Sequence, residues 1–135
     1  MPQHYSLLTV MIRILPFEVD FVLALAIDGP ISSDDASSVI DAVEDRLERH
    51  NKLGVYVELH SLGGVPVRSM LSDLKRALKH WRQFNRLALV TDNRWLAKGG
   101  PLINRLFSNA KFGIYRFDDK ADAIAWISEQ SSTNE

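Results

Sequence analysis

Glu58 and His60 stand two residues apart in a 135-residue chain that carries four histidines. On a strand that spacing puts both side chains on one face, where a carboxylate can orient an imidazole as a general base. The same spacing also describes an ordinary surface pair at a strand end. His4, His50, His60 and His80 show none of the i, i+4 spacings that bind zinc on a helix. Asp73 and His80 lie seven apart, two turns along one helix and beyond direct contact. No Gly-x-Ser-x-Gly elbow occurs, and Gly63-Gly64 lacks the Lys-Ser/Thr of a phosphate loop. Asp118-Asp119 resembles a helix start. Cysteine is absent, which removes thiolate chemistry and disulfides. The expectation is no enzyme, no metal and no cofactor.

A second set of residues suggests contact with apolar matter. In the segment from Asn93 to Lys111, Trp95, Leu96, Leu102, Ile103, Leu106 and Phe107 alternate with Arg94, Lys98, Arg105 and Lys111. Gly99-Gly100-Pro101 divides the segment, and proline is favoured in the first turn of a helix, so a short helix is expected over Pro101–Ser108. Consecutive glycines can absorb large backbone changes, as a hinge requires. Apolar groups framed by cations suit an anionic membrane surface, with Arg94, Trp95, Leu96, Lys98, Ile103, Arg105, Phe107 and Lys111 as the contact. Folded the other way, Trp95, Leu102, Leu106 and Phe107 would cover a nonpolar pocket. Met70, Leu74, Trp81 and Phe84 would form its other wall, with His80 or Tyr115 as polar anchor. A crossover helix also needs an apolar face to cover a sheet, so the same residues satisfy a purely structural role.

The elements that position these residues alternate between strand and helix. Thr9–Leu15 is expected as a strand, and Phe21–Ile27, apolar throughout, as a central strand buried on both faces. Asp28-Gly29-Pro30 ends it. Ser32 or Ser33 can cap a helix whose stripe is Ala36, Val39, Ile40, Val43 and Leu47, with Asp34 and Asp35 suiting its positive end. Gly54 closes this unit. Strands follow at Val55–Leu59, Leu87–Val90 and Phe112–Phe117, with helices over Val67–Trp81 and Asp118–Ile127. The pattern predicts one α/β domain over 1–135, frayed at 1–5 and 129–135. Its sheet has about five mostly parallel strands, an antiparallel first strand and about four crossover helices.

Composition places the chain among soluble globular domains, with 46% apolar and 24% charged residues. No apolar run approaches a membrane span, and the N-terminus lacks signal-peptide features, so a cytoplasmic location is expected. Net charge is only −1, yet residues 68–116 concentrate eleven lysines and arginines against Asp73 and Asp92. That imbalance suits an anionic partner, or simply neutralises acidic faces after folding. Nucleic acid is disfavoured because no reading helix or aromatic platform accompanies the charge.

The runs Asp73-Leu-Lys-Arg-Ala-Leu-Lys-His80, Phe84-Asn-Arg-Leu-Ala-Leu-Val90 and Asp92-Asn-Arg-Trp95 resemble the small SpoIIAA-like proteins, as do Asp28-Gly29-Pro30-Ile31 and Val55-Tyr-Val-Glu-Leu59. These proteins are similar in fold to STAS and CRAL-TRIO domains. The resemblance covers residues 11–128 and implies a domain that holds nonpolar ligands and associates with membranes. STAS-type regulators bear a phosphorylatable serine in an Asp-Ser-Ser-Gly turn. Here that turn reads Leu59-His60-Ser61-Leu62-Gly63-Gly64, so Ser61 is the matching position, while His60 and Leu62 depart from the pattern. Two readings follow. The first is a non-enzymatic module for a nonpolar or lipid-like ligand, peripheral to the inner face of the membrane. The alternative is a STAS-type signalling module acting through a protein partner or as a homodimer, switched at Ser61.

Overall fold

The computed structural model describes residues 12–30, 32–61, 81–92 and 110–129. Five strands form one sheet in the order β1-β2-β3-β4-β5: β1 Ile12–Leu15, β2 Val22–Asp28, β3 Leu53–Ser61, β4 Phe84–Val90 and β5 Lys111–Tyr115. β1 runs antiparallel to β2, and all the other neighbours are parallel. Helix α1 spans Ser33–Leu47, and α2 spans Lys120–Ile127. The mixed five-stranded sheet is as expected. Among the described residues there are two α-helices rather than about four. The expected helices over Val67–Trp81 and Pro101–Ser108 lie outside the described residues, apart from Trp81, which opens a 3₁₀ turn over Trp81–Gln83.

The central strands are apolar on both sides because both sides are covered. Alternation sends Leu23, Leu25, Ile27, Val55, Val57 and Leu59 to one face, where Val39 and Val43 of α1 meet them. Val22, Ala24, Tyr56, Ala88 and Val90 point to the other, against Ala123 and Ile127 of α2. Ser32 is the N-cap of α1. Its Oγ accepts from Asp35 N–H at 3.1 Å, and the Asp35 carboxylate accepts from Ser32 N–H at 3.0 Å. Two otherwise unpaired donors are thereby satisfied reciprocally.

Several boundaries differ from expectation. Gly54, read as a unit end, lies inside β3. A Cβ there would come within 3.2 Å of Ile127 Cδ1, so the missing side chain is what lets α2 approach the sheet. β4 begins at Phe84 rather than Leu87, paired with Leu53 before a register shift that sets Gly54 opposite Arg86. β5 ends at Tyr115, and Phe117–Asp119 forms a 3₁₀ turn, so α2 starts at Lys120 instead of Asp118. At Gly29 the chain turns with φ 119°, a conformation glycine adopts without a Cβ penalty. Its N–H donates to Ser61 O at 2.7 Å and joins the ends of β2 and β3.

The far end of α1 is held by ions. Arg49 Nε donates to Asp20 Oδ2 at 2.8 Å, His50 Nε2 lies 2.8 Å from the same oxygen, and Arg49 Nη2 reaches Asp45 at 3.1 Å. The hydrogen bond from Arg49, then that from His50, holds the Asp20 carboxyl down to about 2, below its ordinary 3.8. A depressed carboxylate contributes stability above its unfolded value that is lost as pH falls through its folded one. Asp20→Asn is therefore expected to lower the thermal midpoint near neutral pH. The gap to wild type should close as pH falls from 3.8 toward about 2, measured by circular dichroism. The effect is small because these groups are exposed. At the other face, Gly54→Val is expected to cost roughly 1–3 kcal/mol by overpacking against Ile127, and Gly54→Ala less, by denaturant unfolding.

Candidate functional site

The α2-facing side of the sheet is built from register. Ala24, Tyr56, Ala88 and Gly113 align across four strands, and the next row is Ala26, Glu58, Val90 and Tyr115. Small neighbours make room for the Tyr56 ring, which is 1% exposed and packs on Phe17 with centroids 5.7 Å apart. In the next row, Ala26 and Val90 offer Glu58 no polar partner. Its carboxylate, 15% exposed, draws donors from elsewhere. Tyr56 Oη donates to Glu58 Oε2 at 2.8 Å, and Lys120 Nζ stands 3.6 Å from the same oxygen. His60 Nε2 faces the other oxygen at 3.5 Å, an ion-pair distance too long for a strong hydrogen bond.

His60 and Glu58 thus share a face, as strand alternation predicts. The residues that complete the site come from distant sequence. Phe117 leaves β5 and sets its ring 4.9 Å from the His60 imidazole, tilted 34°. Its N–H donates to Asp92 Oδ1 at 3.3 Å. Leu59, His60, Asp92 and Phe117 line an open cleft of about 370 Å³ at the carboxyl ends of β3 and β4. Parallel sheets leave this end free for ligands, because the connections start there. Tyr56, Asp92, Phe117 and Lys120 were not candidates from sequence. Tyr56 alone carried a local signal, its place two residues before Glu58.

The remaining candidates do not converge. Phe84 is buried in the core facing α1, whereas Tyr115 packs against Trp126 on the α2 side, ring centroids 6.3 Å apart. They pack on opposite faces of the sheet. Lys111 is exposed at the amino end of β5, away from the cleft. Ser61 ends β3, half-buried, with its carbonyl bound to Gly29 N–H. Met70, Leu74, His80, Arg94, Trp95, Leu96, Lys98, Gly99, Gly100, Pro101, Leu102, Ile103, Arg105, Leu106 and Phe107 lie outside the described residues, as does the Trp81 side chain. No helix among the described residues is long and apolar enough to cross a membrane.

A family model described as SpoIIAA-like matches residues 22–128, most of the chain and every strand but β1. The chain belongs to the SpoIIAA-like family. Among solved structures it is similar to an uncharacterized protein of the DUF3478 family with a SpoIIAA-like fold from Shewanella loihica PV-4. The two are 26% identical over 86% of this chain and 91% of that one, with a TM-score of 0.61. No curated protein matches. In this SpoIIAA-like domain, the cleft therefore has to be understood from its own chemistry.

That chemistry begins at the buried phenol. Burial, then the hydrogen bond to Glu58, raises Tyr56 well above the ordinary tyrosine value of 10.0. Burial raises Tyr115 as well. An acid whose folded pKa is raised contributes stability that is complete below its unfolded value and lost as pH climbs above it. Tyr56→Phe is expected to flatten the alkaline loss of stability above about pH 10. At neutral pH it should cost about 1–3 kcal/mol, for one hydrogen bond to a charged, half-buried acceptor. Denaturant unfolding across pH checks both.

Proposed function

We propose that this domain is a non-enzymatic regulatory module that binds a protein partner at the carboxyl end of its parallel strands. Membership in the SpoIIAA-like family supports a regulatory or signalling role. The observation that carries the reading is the open cleft between Leu59, His60, Asp92 and Phe117. Its lining mixes two rings and a carboxylate around the end of β3, a combination suited to side chains from another protein surface. An apolar ligand would take the exposed Asp92 carboxylate out of water with only the Phe117 N–H in its place, which disfavours a lipid at this place.

Ser61 lies at the same end of the sheet, opposite Asp28 in the register. Among the described residues, a phosphate there would lie beside the Asp28 carboxylate, so its effect would be repulsive. Partner binding in this reading does not depend on it. The nonpolar-ligand and membrane reading rests on the 93–111 segment, of which residues 93–109 lie outside the described residues.

Site-specific photocrosslinking tests the proposal. A photoreactive amino acid at position 60 or 118 is expected to yield a discrete crosslinked product in cells. The same group at Asp41, on the exposed side of α1, should not. A product at twice the chain mass would identify the partner as a second copy. No discrete product, or the same product from all three positions, would overturn the reading.

A further inference from the structure

We propose that the cleft is a socket for a basic side chain of the partner, arginine above all, held between the Asp92 carboxylate and the Phe117–His60 ring pair. This rests on the partner-binding reading and specifies what the partner presents. A guanidinium is planar, weakly hydrated and rich in donors, so it stacks on rings while pairing with a carboxylate. The cleft offers both surfaces together. Asp92 is exposed yet oriented, because the backbone N–H of Phe117 fixes one of its oxygens at 3.3 Å. The ring of that same residue forms the wall with His60.

Among the described residues, charge favours a cation over an anion: the turn and helix that follow β5 carry Asp118, Asp119 and Asp122 against Arg116 and Lys120. Lys120 is already turned to Glu58, which leaves it less able to neutralise the cleft. The molecule uses the same chemistry internally: Arg86 lies 5.0 Å over the Trp126 ring while its Nη1 donates to Trp126 O at 2.6 Å and to Glu129 at 3.1 Å. Ring, carboxylate and guanidinium come together there, and among the described residues the cleft presents the first two without the third.

The probes are N-acetyl-arginine amide and its uncharged analogue N-acetyl-citrulline amide, titrated into the full chain and followed by NMR. The arginine probe is expected to shift resonances of His60, Asp92 and Phe117, with the citrulline probe much weaker. Asp92→Asn should weaken the arginine probe on the order of tenfold through loss of the charge-assisted pair. Phe117→Leu keeps the carboxylate and the N–H but removes the ring, and should weaken binding several-fold. Unchanged resonances away from the cleft establish that both variants are folded. Equal binding of both probes, wild-type affinity in Asp92→Asn, or shifts scattered over other surfaces would overturn the socket. If the position-60 crosslink persists while the arginine probe is ignored, the partner reading stands and the socket fails. If the probe binds and no crosslink forms, the socket stands and the partner reading fails.

Discussion

The hydrogen bond from Tyr56 to Glu58 organises the α2 side of the molecule. A phenol can be buried only if its hydroxyl is paired, and a carboxylate between Ala26 and Val90 needs donors from outside its row. Each residue meets the other's requirement at 2.8 Å. The rest of that face follows from the size of the ring. Ala24, Ala88 and Gly113 flank it along the row, and Gly54 in the preceding row lets Ile127 settle close to the sheet. Because α2 is docked there, Lys120 reaches Glu58 from its first turn, and the Phe117 turn lies beside His60.

The opposite side of the sheet is simpler. Aliphatic residues from β2, β3 and β4 meet Val39 and Val43 of α1. The Ser32–Asp35 cap and the Asp20–Arg49–His50 cluster hold the two ends of α1. One face therefore supplies apolar burial and the other carries the chemistry. This division explains why the cleft opens on the α2 side, next to the half-buried carboxylate.

Most of the architecture was legible in local pattern. A strand apolar at every position must be covered twice, so Val22–Ile27 could only be central. The Ser32 cap and the Val39/Val43 stripe followed from side-chain chemistry and helical period. Of the site, only the shared face of Glu58 and His60 was legible, because alternation along a strand is a local property. Asp92, Phe117 and Lys120 carried no signal. Each reaches the site through a turn whose direction depends on packing, and nothing in Phe117 itself marks it as outside β5.

By itself, then, the sequence determined the fold class, the central strands, the helix start and the carboxylate–imidazole pair, since periodicity and capping act within a few residues. Tertiary structure alone decided that Gly54 is a docking point rather than a boundary, because its role lies in contact with Ile127, seventy-odd positions away. It also separated Phe84 from Tyr115, which the sequence permits in one pocket and the alternation of two strands sends to opposite faces. And it gathered an acid, an imidazole and a ring into one cleft. That step needs three strand ends brought together by parallel pairing, a relation that no short-range pattern encodes.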